Sequence, residues 1–166
     1  RLMRAFGLEA SISANVGGRV MLNRSNAMMS RLRELISFAR APADRAFVHQ
    51  ADATIAWFKG EWRRSAALAD QAIEIYRSSC HGVQFDDAII LGWGLTARAF
   101  MGEIDAVRRL MPELLTDARK RGDEYFFDVF RSSFLGYLIA AADDRCDAAL
   151  NVIDGTLRNV PNDRFT

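Results

Sequence analysis

Residues 53–73 read ATIAWFKGEWRRSAALADQAI, and their pattern is the most direct indication of the fold. Apolar and small side chains recur at helical spacing on both sides of Gly60, up to Phe58 before it and from Trp62 after it. Glycine tolerates the left-handed backbone that ends a helix, and it therefore suits the turn between two antiparallel helices. The stretch predicts a helical hairpin with Gly60 at its turn.

Turn residues of this kind recur with a period of 42 residues, at Gly18, Gly60 and Gly102, and the next equal step falls on Asp144. A helical hairpin buries its apolar face when a neighbouring hairpin stacks on it, so a repeated hairpin predicts an array. We therefore expect an all-α fold, a right-handed α-α solenoid of about four helical hairpins. The predicted hairpins are residues 2–40, 43–79, 86–121 and 123–159.

The composition suits one globular domain over residues 1–166, because half of the residues are apolar and three are proline. The formal net charge of +1 gives no reason to expect nucleic acid or an anionic membrane as a partner. The chain begins at Arg1 rather than at a methionine, and we expect it to be a piece of a longer protein.

Cys80 and Cys146 lack the paired spacing of a disulfide framework or a zinc module. No uncharged run is long enough to span a bilayer, and the N-terminus lacks the pattern of a signal peptide. We expect a cytoplasmic protein without cofactor or metal. Cys80 and His81 adjoin, but no nearby ligand completes a metal site, and the pair is expected to end a helix.

A helix start is predicted at Phe85-Asp86-Asp87, where the acidic side chains are suited to capping.

The segment around Gly60 resembles a tetratricopeptide repeat. The resemblance is carried by small, aromatic and turn residues at matching positions: Ala53, Trp57, Gly60, Trp62, Ser65 and Ala72. The closing proline of that repeat is absent, with Arg77 near its place, and the period of 42 exceeds the usual period of about 34 residues. The resemblance implies a tetratricopeptide-like superhelix.

Three longer stretches carry a second resemblance: EASISANVGGR at residues 9–19, AIEIYRSSCHGVQFDDA at residues 72–88 and LLTDARKRGDEYF at residues 114–126. Together they are similar to the helical-repeat region that follows the catalytic domain in planctomycete and myxobacterial serine/threonine protein kinases. The resemblance implies a regulatory or docking segment. The chain contains no glycine-rich nucleotide loop, His-Arg-Asp or Asp-Phe-Gly motif, and we expect it not to be an enzyme.

In a solenoid of this kind the first helices of the hairpins line a concave groove. Aligning Gly60 with Gly102 places Thr54 at the level of Thr96. Large aromatic residues suit either a packed core or a binding anchor. The candidate partner-binding residues are Gln50, Thr54, Trp57, Trp93, Thr96 and Arg131. The expected partner is a protein or peptide segment in the groove, or the kinase domain of the same chain.

Two other functions fit the same sequence. The solenoid of a sensor would close around a small molecule or peptide, with Trp57, Trp93 and Tyr137 as an aromatic pocket. Alternatively, the segment would space or self-associate neighbouring domains through its basic first forty residues.

Overall fold

A computed structural model describes residues 2–38, 41–123, 126, 127, 130 and 134–158. Every regular element among these residues is a helix and none is a strand, which confirms the all-α prediction for the described part of the chain. The chain divides into two compact units, Arg1–Met101 and Gly102–Thr166, and each is described by itself. This division does not decide how many domains the chain has, and the single domain over residues 1–166 stays a prediction.

The first unit is built from helices that follow one another with short connections. Consecutive helices pack together, and α3 also contacts α1 and α5, so it is the central helix of the unit. Proline at the first position of α3 fits its start, because that position needs no backbone N–H donor. The helices are α1 (Leu2–Val16), α2 (Gly18–Ile36), α3 (Pro42–Phe58), α4 (Trp62–Ser79) and α5 (Gln84–Phe100).

Two clusters of buried side chains hold this unit together, and α3 contributes to both. Many members are alanines, whose small side chains let helices approach closely. The first cluster joins α1, α2 and α3 through Ala10, Ala14, Met29, Leu32, Ala51 and Ile55. The second joins α3, α4 and α5 through Ala46, Ala53, Ala69, Ala72, Tyr76 and Ile90.

The second unit contains α6 (Ile104–Lys120), α7 (Phe134–Ala142) and α8 (Cys146–Arg158). α7 packs against both α6 and α8. The buried side of α6 follows helical spacing through Val107, Met111, Leu114 and Ala118. The predicted hairpin at residues 123–159 includes residues 124, 125, 128, 129, 131–133 and 159, which lie outside the described residues.

The predicted cap of α5 was wrong. The helix begins at Gln84, its N-cap is Val83 without a capping side chain, and Asp86 lies inside the first turn. The Asp86 carboxylate instead accepts hydrogen bonds from Arg4, and that of Asp87 accepts one from Arg77. Ion pairs with arginines therefore take the place of the expected capping.

The four equally spaced turn positions share a left-handed backbone. φ is 75° at Gly18, 76° at Gly60, 76° at Gly102 and 55° at Asp144, which is the one non-glycine residue with positive φ in the described part of the chain. At Gly60 the next N–H, of Glu61, donates to a carbonyl oxygen five residues back at 2.9 Å. Asp144 is followed by the same bond at 2.9 Å, so an aspartate here occupies a glycine-type turn.

Asp144→Gly is expected to raise the free energy of unfolding of the second unit by about 0.5–1 kcal/mol, because glycine adopts positive φ without the steric cost of a Cβ. Urea unfolding followed by circular dichroism measures the change. The reverse exchange, Gly60→Asp, is the matched control and is expected to destabilise by a similar amount. A less stable Asp144→Gly protein would contradict the assignment of strain to this turn.

Candidate functional site

Three helices of the first unit carry a group of aromatic side chains, four of them at helix ends and Trp93 two turns before the end of α5. α4 returns between α3 and α5, so the C-terminal ends of α3 and α5 lie on the same side, next to the start of α4. We call this group the aromatic patch, and it consists of Trp57, Phe58, Trp62, Trp93 and Phe100.

The rings of the aromatic patch contact one another directly. The ring centroid of Trp57 lies 4.8 Å from that of Trp93 and 5.8 Å from that of Phe100. Trp62 stacks on Phe100 with centroids 5.0 Å apart and ring planes 24° from parallel. Phe58 lies 5.1 Å from Trp57 and 5.5 Å from Trp93, edge to face. These separations are those of favourable aromatic pairs.

The aromatic patch is not a buried core. None of its five side chains is fully buried, and Phe100 is 50% exposed. The indole Nε1 of Trp57 is enclosed and has no hydrogen-bond partner among the described residues. The patch therefore presents carbon surface to solvent, and that Nε1 is not available as a donor. Partly exposed, closely packed aromatic side chains are typical of the energetic centres of protein interfaces.

Positive charge flanks the aromatic patch. Lys59 follows Phe58 and is half-buried, and Arg63 follows Trp62 and is exposed. The Nζ atom of Lys59 donates to the side-chain oxygen of Asn26 at 3.0 Å, and neither cation forms an ion pair with a carboxylate of the described residues. The carboxylate of Glu61, which precedes Trp62, is paired with Arg64 at 2.7 Å. Lys59 and Arg63 therefore leave an excess of positive charge at the rim, which is suited to a partner with negative charge.

Gln50 and Thr54, both predicted to line a groove, are engaged inside the helix layer. Each is 8% exposed. The hydroxyl of Tyr76 donates to the Gln50 Oε1 atom at 2.7 Å, and the hydroxyl of Thr54 donates to the Gln50 carbonyl oxygen at 3.0 Å. These bonds satisfy polar groups that burial would otherwise leave unpaired. Partner binding by Gln50 and Thr54 stays a prediction.

Thr96 is partly buried, and its hydroxyl donates to the carbonyl oxygen of Gly92, four residues earlier on α5, at 2.8 Å. Thr54 makes the equivalent bond on α3, to Gln50. The structure brings Trp57 and Trp93 together in the aromatic patch. Arg131 lies outside the described residues. Of the five predicted site residues that the structure describes, Trp57 and Trp93 are the two whose side chains contact each other, and both are half-buried.

An aromatic pocket between Trp57 and Trp93 has little room. Their ring centroids are 4.8 Å apart, which is direct contact, so a ligand would enter between them by separating the rings. Tyr137, the third residue of the predicted pocket, lies on α7 in the second unit.

A polar link that was not predicted from the sequence joins α1, α3 and α5 at the end opposite the aromatic patch. The guanidinium of Arg4 donates to both carboxylate oxygens of Asp86, at 3.0 and 2.8 Å, and lies 5.1 Å from the ring centre of Phe47. The hydrogen bonds to Asp86 raise the pKa of Arg4 despite the opposing effect of burial. The partners are 82 residues apart, and no spacing rule relates such distant positions.

Cys80 is the C-cap of α4, with its N–H donating to the Tyr76 carbonyl oxygen, as predicted for this helix end. Both cysteines are free thiols. The described residues contain no group of three or more histidine, cysteine or acidic side chains that could hold a metal ion. Within those same residues, no helix combines the length and apolar character that crossing a membrane requires.

Comparisons with family models, with curated proteins and with solved structures found no match to this chain.

Proposed function

We propose that the chain is a noncatalytic interaction module that binds a protein or peptide segment. The observation that carries the proposal is the aromatic patch, in which five contacting rings from three helices are left partly exposed. An exposed aromatic cluster of this kind costs solubility, and in soluble proteins such a surface marks a site that a partner covers.

We further propose an arrangement for the hairpins and a parent protein for the chain. The hairpins stack as a tetratricopeptide-like, right-handed solenoid with a period of about 42 residues, in a cytoplasmic bacterial signalling protein. The parent is a serine/threonine protein kinase, and the partner in the concave groove is another protein or the kinase domain of the same chain. The support for this part is the turn spacing and the three stretches quoted above.

The aromatic patch and its rim define the chemistry of the partner. A large apolar or aromatic side chain of the partner contacts the exposed faces of Phe100 and Trp93, and acidic side chains beside it contact Lys59 and Arg63. Burial of the anchor supplies most of the affinity, and the charges favour the correct register.

A selection from a random peptide library on the immobilised protein tests this proposal. We expect enriched peptides that combine an aromatic or large apolar residue with neighbouring acidic residues. Tryptophan emission then measures the affinity, because all three tryptophans of the chain, Trp57, Trp62 and Trp93, belong to the aromatic patch.

Phe100→Asp is expected to weaken the binding of an enriched peptide at least tenfold, because the charge must be buried when the partner covers the patch. Phe85→Asp is the matched control: Phe85 is 61% exposed and lies in the first turn of the same helix, about 22 Å away along its axis. Equal losses in the two variants, or enriched peptides without an apolar anchor, would remove the aromatic patch as the binding surface.

A further inference from the structure

A second cleft lies at the opposite end of α3, where the end of α2 and the end of α4 meet its first turns. We call it the junction cleft, and its volume is about 530 Å³. Its size is in the range of sites for small organic ligands. Apolar side chains from all three helices form its walls: Ile36, Pro42, Val48 and Ile75.

The polar groups of the junction cleft are suited to a ligand group that accepts hydrogen bonds. Arg45 and His49 are one turn apart on α3, and Ser79 lies at the end of α4. The guanidinium of Arg45 is exposed and has no ion-pair partner among the described residues. Among the described residues that line the cleft, none carries a carboxylate. Asp52, one turn beyond His49, is engaged by Arg33 at 2.6 Å.

This combination selects a carboxylate attached to an apolar chain. A guanidinium binds a carboxylate through two parallel hydrogen bonds, and an imidazole and a hydroxyl can supply further donors. The apolar walls of the cleft bury the chain of the ligand. A simple inorganic anion has no such chain and would leave these walls uncovered. An ammonium group would lie beside Arg45 without a counter-charge and would be repelled.

We propose that the junction cleft binds an aliphatic carboxylate, with Arg45 as the main contact to the carboxylate and His49 and Ser79 as additional donors. The carboxylate belongs either to a free aliphatic acid or to the C-terminus of a chain that ends in an apolar residue. The site is separate from the aromatic patch, because Arg45 and Trp57 are twelve residues apart on α3, about 18 Å along its axis.

Histidine NMR provides a direct test, since the chain has two histidines, His49 in the cleft and His81 in the loop after α4. His81→Gln assigns the two ring signals. Decanoate, below its micelle concentration, is expected to shift the His49 signal saturably and to leave the His81 signal in place. Decan-1-ol, which has the same chain without the charge, is the matched ligand control and is expected to bind at least tenfold more weakly.

A tetrapeptide with a C-terminal leucine distinguishes the two sources of the carboxylate when it is compared with decanoate. The C-terminal amide of the same peptide, which lacks the charge, is its control. Saturation by the free-acid peptide at lower concentration than by decanoate assigns the site to a chain terminus, and the reverse order assigns it to a free aliphatic acid. Failure of both carboxylates to shift the His49 signal would overturn the proposal, as would equal shifts by decanoate and decan-1-ol.

Arg45→Glu separates a specific site from general detergent-like binding. We expect this variant to lose at least tenfold in decanoate affinity, and Arg19→Glu, at another exposed arginine of the same unit, to retain it. Circular dichroism checks that both variants remain folded. Equal affinity in Arg45→Glu and Arg19→Glu would refute the role of Arg45.

Discussion

Tyr76→Ala is expected to lower the free energy of unfolding of the first unit by about 5 kcal/mol, which is comparable to the whole stability of many domains. Tyr76 is 1% exposed and is the largest fully buried side chain of the described residues. Its removal leaves a cavity, worth about 3–5 kcal/mol for a buried aromatic residue. The Oε1 atom of Gln50 also loses its hydrogen bond, at about 1–3 kcal/mol.

Urea unfolding followed by tryptophan emission measures this loss, because all three tryptophans lie in the first unit. Tyr76→Phe keeps the ring and removes the hydroxyl, and its expected loss is the smaller hydrogen-bond contribution of about 1–3 kcal/mol. Phe85→Ala, at an exposed aromatic of α5, is the control and is expected to stay close to the parent stability. A Tyr76→Ala protein as stable as this control would contradict the packing described for α4.

The parent protein and Tyr76→Phe are also expected to differ in stability at alkaline pH. Burial, and after it the negative charge of Asp86, raise the pKa of Tyr76 above that of a tyrosine in an unfolded chain. A group with a raised pKa in the folded state contributes stability below its unfolded pKa, near pH 10, and that contribution is lost as the pH rises further. The parent is therefore expected to lose stability above about pH 10 by an amount that Tyr76→Phe does not show.

Asp86→Ala is expected to lower the free energy of unfolding by about 2 kcal/mol. The side chain of Asp86 is 12% exposed and accepts both hydrogen bonds of Arg4, so its removal leaves a guanidinium without its partner. The expected loss is smaller than for a fully buried pair, because the side chain of Arg4 is 49% exposed and water compensates part of it.

A double-mutant cycle with Arg4→Ala isolates the interaction between the two side chains. We expect a coupling energy of about 1 kcal/mol or more. The exposed pair of Arg24 and Glu9, in the same unit, is the matched control, and its coupling is expected below about 0.5 kcal/mol. Equal coupling in the two pairs would show that Arg4 and Asp86 contribute no more than a surface ion pair.

The sequence indicated the helices well, because their signals are local. Gly60 stands between two runs of helical spacing, and even Asp144 could be assigned to a turn from its distance to Gly102. The exposed site was harder to predict. Alignment of the turns matched Thr54 with Thr96, but it carries no information on which face of α3 the neighbouring helices cover.

Gln50 illustrates the limit. A polar residue at helical spacing suits a solvent-facing groove, and its sequence neighbours give no sign of Tyr76, which reaches it from 26 residues away. Arg4 and Asp86 could not be paired for the same reason. Aromatic residues at helix ends were visible in the sequence, but their incomplete burial depends on packing between helices that local patterns do not record.

The pairing of Arg4 with Asp86 has a consequence for how the first unit opens. In many repeat arrays each repeat contacts its immediate neighbours, so a terminal helix can detach while the rest stays folded. Here α1 is joined both to α3 and, through Arg4, to α5, and its detachment breaks a contact with the far end of the unit. Detachment of α1 therefore costs the contact with Asp86 in addition to the packing on α3, and we expect the backbone amides of α1 to exchange their hydrogens more slowly in the parent protein than in Arg4→Ala.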